Sequence, residues 1–83
     1  MKYMVSITFV PGHQAEIAAL TPQERVHVAE LGTKGIIESL YLSYENGGLV
    51  WIVMNGASKE DVQKELETFP LYPYMVLAIA TLV

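Results

Sequence analysis

The chain has 83 residues, nine acidic against five basic, for a net charge of −4, and no cysteine. That length makes one domain, residues 1–83, near the size at which a single core barely suffices. The basic residues are scattered as Lys2, Arg25, Lys34, Lys59 and Lys64, which excludes a phosphate-binding patch and so nucleic acid, and the missing thiols exclude disulfides, thiolate metal sites and a cysteine nucleophile.

The first element is "KYMVSITFV" (2–10), rich in β-branched and aromatic residues, which reads as a strand. Alternation places Tyr3, Val5, Ile7 and Phe9 on one side, with Met4, Ser6, Thr8 and Val10 on the other. Pro11-Gly12 breaks the strand, and "GHQAEIAAL" reads as an irregular loop with at most a short turn. "TPQE" then forms a capping box, with Thr21 as N-cap, Pro22 at the first helical position and Glu24 three residues after the cap. The helix is expected from about Pro22 to Thr33, stopped by Gly35. "IIESLYLSY" (36–44) is a second strand and "ENGG" (45–48) a hairpin turn. "LVWIVMN" (49–55) is the third strand. Ser58 caps a second helix, from Lys59 to about Thr68, with Val62, Leu66 and Phe69 as its apolar stripe. "FPLYPYM" (69–75) ends that helix and turns the chain back, and "MVLAIATLV" (75–83) is the fourth strand.

This order, β-α-β-β-α-β with right-handed crossovers, gives an α+β fold of ferredoxin-like type, an antiparallel four-stranded sheet with both helices on one face. The other face carries no helix. Strand four is apolar on both sides, through Met75, Leu77 and Ile79 and through Val76, Ala78 and Ala80, so neither side should meet water. With 52% hydrophobic residues, the chain is too apolar for so small a domain to bury alone. A homo-oligomer, a dimer or larger ring joined through the open sheet face, is therefore expected, and two facing sheets would enclose a barrel-like cavity. The longest apolar runs, 49–54 and 75–83, fall far short of the ~20 residues of a membrane span. "MKY" leads straight into a strand without a signal-peptide pattern, which sets an expectation of the cytoplasm.

"FPLYPYM" followed by an apolar strand resembles the "LPLFPYM" element of the muconolactone delta-isomerase family. Ser58 begins the second helix at the family's distance from Met75. Glu24, Glu30-Leu31 and Gly35 have the family's E-x5-EL-x3-G spacing, and "SLY" (39–41) lies where the family has a leucine followed by tryptophan. The resemblance spans nearly the whole chain. It implies a dimeric α+β barrel, high-order oligomers and a proton shift along an unsaturated lactone without metal or cofactor, as in aromatic compound catabolism. The departures are Met4, Ser6 and Thr8 where the family has polar or charged residues, Leu42 for an arginine, Gln63 for a histidine, and Val76 and Ala78 for acids.

Glu24 is the candidate base, because a proton shift needs one carboxylate near both carbons. It also matches a family glutamate, and the alternative role is the capping box itself. Arg25 is the candidate for gripping a carboxylate or lactone oxygen, or else an edge arginine paired with an acid of its own or a neighbouring subunit. His27 falls on the polar arc with Gln23, Glu30 and Lys34 and reads as a surface histidine. His13 lies in a loop, and the two histidines suggest no metal site. Glu38 interrupts the apolar side of strand two with Ile36, Leu40 and Leu42, either at an exposed strand start or as a paired internal group. Tyr41, Tyr44, Trp51, Tyr72 and Tyr74 supply aromatics for a ring-shaped small-molecule ligand or, equally, for a subunit interface. Three readings follow: a cofactor-free isomerase-type enzyme using Glu24 with Arg25 or a tyrosine, a non-catalytic small-molecule binder, and an oligomerisation module.

Overall fold

Strand β1 (Lys2–Phe9) alternates buried Tyr3, Val5 and Ile7 with more exposed Met4, Ser6 and Thr8, so its period-2 pattern fixes which side faces the core. In the computed structural model, which describes residues 1–83, the chain continues through α1 (Gln14–Thr33), β2 (Ile37–Ser43), β3 (Leu49–Asn55), α2 (Lys59–Glu67) and β4 (Met75–Thr81). The four strands form one antiparallel sheet in the order β2-β3-β1-β4, as the βαββαβ reading requires. No helix is long and apolar enough to cross a membrane.

The core lies between the sheet and the helices. Tyr3, Val5 and Ile7 of β1 meet Ile52 and Met54 of β3, Leu31 of α1, and Val62, Leu66 and Phe69 from α2 and its exit. The opposite face follows from the register: Ser6 stands opposite both Trp51 and Ala78, Met4 opposite Val53 and Ala80, and Thr8 opposite Val76. Nothing in the chain covers that face, and Val76 is 56% exposed.

The second helix follows its sequence signals closely. Ser58 adopts an extended backbone and its Oγ accepts the Asp61 N–H at 3.2 Å, so α2 begins where the cap predicts. The first helix does not. It starts at Gln14 rather than Pro22, so residues 14–20 of the expected loop over 12–20 form two turns of helix and Pro22 lies inside it. A proline within a helix removes one i→i−4 hydrogen bond; Pro22 sits on the exposed side, where water can serve the carbonyl left without its N–H. Thr21 is consequently no cap: its Oγ1 donates to the Ile17 carbonyl at 2.7 Å.

Two further local corrections concern strand two and the 69–75 element. A bulge between Ile37 and Ser39 shifts the strand's alternation, so Ile37 rather than Glu38 takes the core side. Glu38 projects outward and pairs with Lys2 Nζ at 3.0 Å, an exposed pair at the strand's start. The proline rule predicts an extended segment before Pro73; instead Tyr72–Tyr74 form a single 3-10 turn, and every peptide bond of the chain is trans. That turn is tied to the sheet by the Val10 N–H, which donates to the Tyr74 carbonyl at 2.9 Å.

Candidate functional site

Glu24 lies well inside α1, which removes the capping-box role. Its Oε1 accepts the backbone N–H of Leu71 at 3.1 Å, across the seam between α1 and the exit of α2. Oε2 has no partner in the chain, and no fully buried side-chain oxygen lacks a hydrogen bond, so Oε2 is not sealed from solvent. One oxygen is therefore held and the other is open, the arrangement a general base needs.

Burial pushes the Glu24 carboxyl above its ordinary range. The Leu71 hydrogen bond and nearby His27 pull in the opposite direction and offset part of that rise. The consequence for stability has a definite sign. A raised folded-state value means that the native protein keeps this proton to higher pH than the unfolded chain does. The stability that the proton supplies is complete below the ordinary carboxylate range, about pH 4, and is lost as pH rises through the raised value. Glu24→Gln, neutral at every pH and still able to accept from Leu71, should therefore melt higher than the wild type at pH 7. The two melting temperatures should converge below about pH 4, as thermal unfolding across that range would show.

His27 is not the surface residue its helical-wheel position suggests. It is half-buried, its ring meets Phe69 edge-on with centroids 5.2 Å apart, and its Nε2 lies 2.7 Å from Thr68 Oγ1. The longer α1 and its crossing of the α2 exit put Glu24 and His27, three residues apart, on the face turned toward residues 68–71. The sequence carries a signal for this in Ala15, Ala18, Ala19 and Leu20, strong helix formers that the two flanking prolines obscure.

Arg25, next to Glu24 in sequence, is exposed and makes no ion pair within the chain. The expected pairing with an acid of its own chain is not formed, and its guanidinium is not among the groups that act on Glu24. Tyr72 is half-buried and its hydroxyl accepts the Gln63 Nε2–H at 3.0 Å. Tyr74 lies beside His13, with ring centroids 5.3 Å apart, and His13 Nδ1 is 3.6 Å from Glu16. Tyr41 and Trp51 are cross-strand neighbours on the open face. The sheet separates them from Glu24, so within one chain the six expected site residues do not converge.

Two of the surface depressions involve these elements. A shallow polar trough of about 430 Å³ runs along α2 between Gln63, Lys64, Glu67 and Ile79 of β4. A smaller one of about 230 Å³ lies on the open face around Ser6, Leu49, Trp51, Val76 and Ala78. No group of three or more His, Cys, Asp or Glu side chains is placed to hold a metal ion.

The fold has solved relatives. One is the 5-chloro-2-hydroxyhydroquinone dehydrochlorinase of Burkholderia phenoliruptrix AC1100 in complex with 2,5-dihydroxybenzoquinone: TM-score 0.78, 14% identity, covering 100% of this chain and 94% of that one. Another is a muconolactone isomerase: TM-score 0.78, 24% identity, covering 99% of this chain and 88% of that one. At these identities both likenesses concern the fold. A search of curated proteins finds no match. The family model described as muconolactone delta-isomerase matches residues 1–83, and the chain therefore belongs to the muconolactone delta-isomerase family.

Proposed function

We propose that this protein is a cofactor-free isomerase-type enzyme that shifts a proton along a small unsaturated lactone or related carbonyl ring compound, with Glu24 as the base. The observation that carries the reading is the Glu24 carboxylate itself, with one oxygen fixed on the Leu71 N–H, the other open, and a proton affinity raised by burial. Family membership supports this reaction class. Glu24 takes a proton from the ring carbon joined to the carbonyl through the double bond, the electron pair moves into the conjugated system, and the Glu24 carboxyl, able to exchange its proton with water, returns a proton at the carbon beside the carbonyl. Substrate and product are isomers, so the step needs no oxidant or reductant. Of the groups named for the carbonyl oxygen, Tyr72 has the better support. Its hydroxyl accepts from Gln63 and donates to no group of the chain, and it follows directly after the residue that holds Glu24. Arg25 points outward from α1 and would meet a substrate only from that side.

The test is to incubate the protein with muconolactone and related unsaturated lactones and follow ring protons by NMR. Isomer formation supports the enzyme. Saturable quenching of Trp51, the single tryptophan, without isomer formation would instead favour a binder that uses the apolar depression around Trp51.

The same reading includes a homo-oligomer joined through the open sheet face, where Val76, Ala78, Ala80 and Tyr41 stand exposed in the single chain. Ala78→Asp puts a charge at the middle of that face, opposite Ser6. Sedimentation velocity should show an oligomer for the wild type and a monomer for the variant, since an unpaired charge buried in an interface costs several kcal/mol. A wild-type monomer at tens of micromolar would contradict the assembly.

A further inference from the structure

We propose that His27 is a positioning residue for Glu24: by gripping Thr68, it fixes the 68–71 turn where the Leu71 N–H meets the Glu24 carboxylate. The inference rests on the reading of Glu24 as the base, and adds to it a residue that acts on Glu24 through the backbone of another element.

The geometry is a pair of matched tethers. On α1, Glu24 and His27 stand three residues apart, on one face of the helix. On the facing segment, Thr68 and Leu71 are also three residues apart. Glu24 Oε1 meets the Leu71 N–H at 3.1 Å, and His27 Nε2 meets Thr68 Oγ1 at 2.7 Å. These two are the only hydrogen bonds that join α1 to residues 59–74. The backbone bonds around the turn are local: Thr68 and Phe69 donate to Glu65 and Leu66, and Tyr72 donates to Phe69. Pro70 has no N–H to give. The turn is therefore placed by the packing of buried Phe69 and Leu71 and by these two tethers, and by no ladder of its own.

The direction of the histidine bond is settled by Thr68. A hydroxyl has one proton to donate, and Thr68 gives it to the Glu65 carbonyl at 2.6 Å. His27 Nε2 must then carry the hydrogen, and Thr68 Oγ1 accepts it. Phe69, 2% exposed, stands edge-on to the imidazole and holds the ring in that orientation. No lysine, arginine or second carboxylate bonds to Glu24 or His27. The groups facing the Glu24 carboxylate are thus the Leu71 N–H from the turn and the imidazole from its own helix.

If His27 is lost, the turn loses its second tether and the Leu71 N–H draws away. A carboxylate deprived of a donor gives up its proton less readily, so Glu24 becomes a working base only at higher pH. The experiment follows the Leu71 amide by NMR in the full chain, without substrate, across a pH titration. The variants are His27→Phe, which keeps the edge contact with Phe69, Thr68→Val, which removes the acceptor, and Thr68→Ser, which keeps it. In the wild type the amide proton should titrate with Glu24. In His27→Phe and Thr68→Val it should move upfield and its titration should shift to higher pH. In Thr68→Ser both should stay at the wild-type position. His27→Phe also removes the imidazole's own pull on the Glu24 carboxyl, so the double variant should change no more than His27→Phe alone, because Thr68→Val removes only the tether that is already lost.

A Leu71 amide that keeps its shift and its titration in Thr68→Val would overturn the proposal. Thr68 is exposed, so that variant decides the matter even if His27→Phe fails to fold. No lactone enters the measurement, so absent turnover would remove Glu24 as a base and leave the tether standing. Where turnover exists, the acidic limb of kcat/KM should move to higher pH in Thr68→Val and return in Thr68→Ser, a change that a purely structural bond would not produce.

Discussion

Glu24→Gln should lower kcat on an unsaturated lactone by roughly 10²–10⁴-fold, the range spanned by positioned general bases, while the protein stays folded. The amide is nearly isosteric with the carboxylate, and its oxygen can still accept the Leu71 N–H that Glu24 Oε1 holds at 3.1 Å. What it cannot do is take a proton from carbon. KM should change little, because the loss falls on an interaction made in the transition state rather than on ground-state binding. The same variant is expected to be the more heat-stable protein at pH 7, since burial raises the Glu24 proton affinity and ionisation is then unfavourable to the fold. A variant at once more stable and inactive is the signature of a group kept for chemistry. Equal kcat in the two proteins would remove Glu24 from the mechanism.

Leu66→Ala should produce the largest loss of stability of any single side-chain truncation in α2. Leu66 is 0% exposed and belongs to the one core cluster, with Val5, Ile52, Met54 and Val62. Removing a buried leucine side chain costs about 2–5 kcal/mol, the spread reflecting how far the cavity collapses. In a domain of this size each kcal/mol lowers Tm by about 4–8 °C, so the variant should melt at least about 10 °C below the wild type. The effect reaches the site, because Leu66 lies two residues before Thr68 and its carbonyl receives the Phe69 N–H. Thermal unfolding followed by circular dichroism would measure it, and a loss under about 1 kcal/mol would mean that α2 does not close the core in this way.

The parts of this structure that are legible from sequence are those governed by short-range rules. Alternation in β1 identifies Tyr3, Val5 and Ile7 as the core side, and the Ser58 cap locates the start of α2. The "ENGG" turn is legible because Asn46, Gly47 and Gly48 all adopt positive φ, which these residue types tolerate. The beginning of α1 is not, because Thr21-Pro22 carries every mark of an N-terminus and nothing local reveals that the helix continues through a proline on its solvent side. That one misleading signal places Glu24 at a helix cap instead of in the middle of a helix. The reading of His27 as a surface residue misses for a different reason: its partners Thr68 and Phe69 lie more than forty residues away along the chain. Arg25 is exposed, which a wheel of one helix does not reveal, since the wheel does not say which elements pack against each side. The "FPLYPYM" element points to the family, and its role at the site comes through a backbone group, the Leu71 N–H, which no side-chain pattern announces.

The most direct test of the proposed chemistry is deuterium uptake. An unsaturated lactone is incubated in D2O with wild type and Glu24→Gln side by side, and the ring carbons are followed by NMR. With the wild type, deuterium is expected at the carbon that receives the proton and, through the reverse reaction, at the carbon that loses it; with the variant, no enzyme-dependent uptake is expected. Uptake that survives undiminished in Glu24→Gln would contradict Glu24 as the base. A wild type that binds the lactone and leaves every ring proton in place would contradict the isomerase itself.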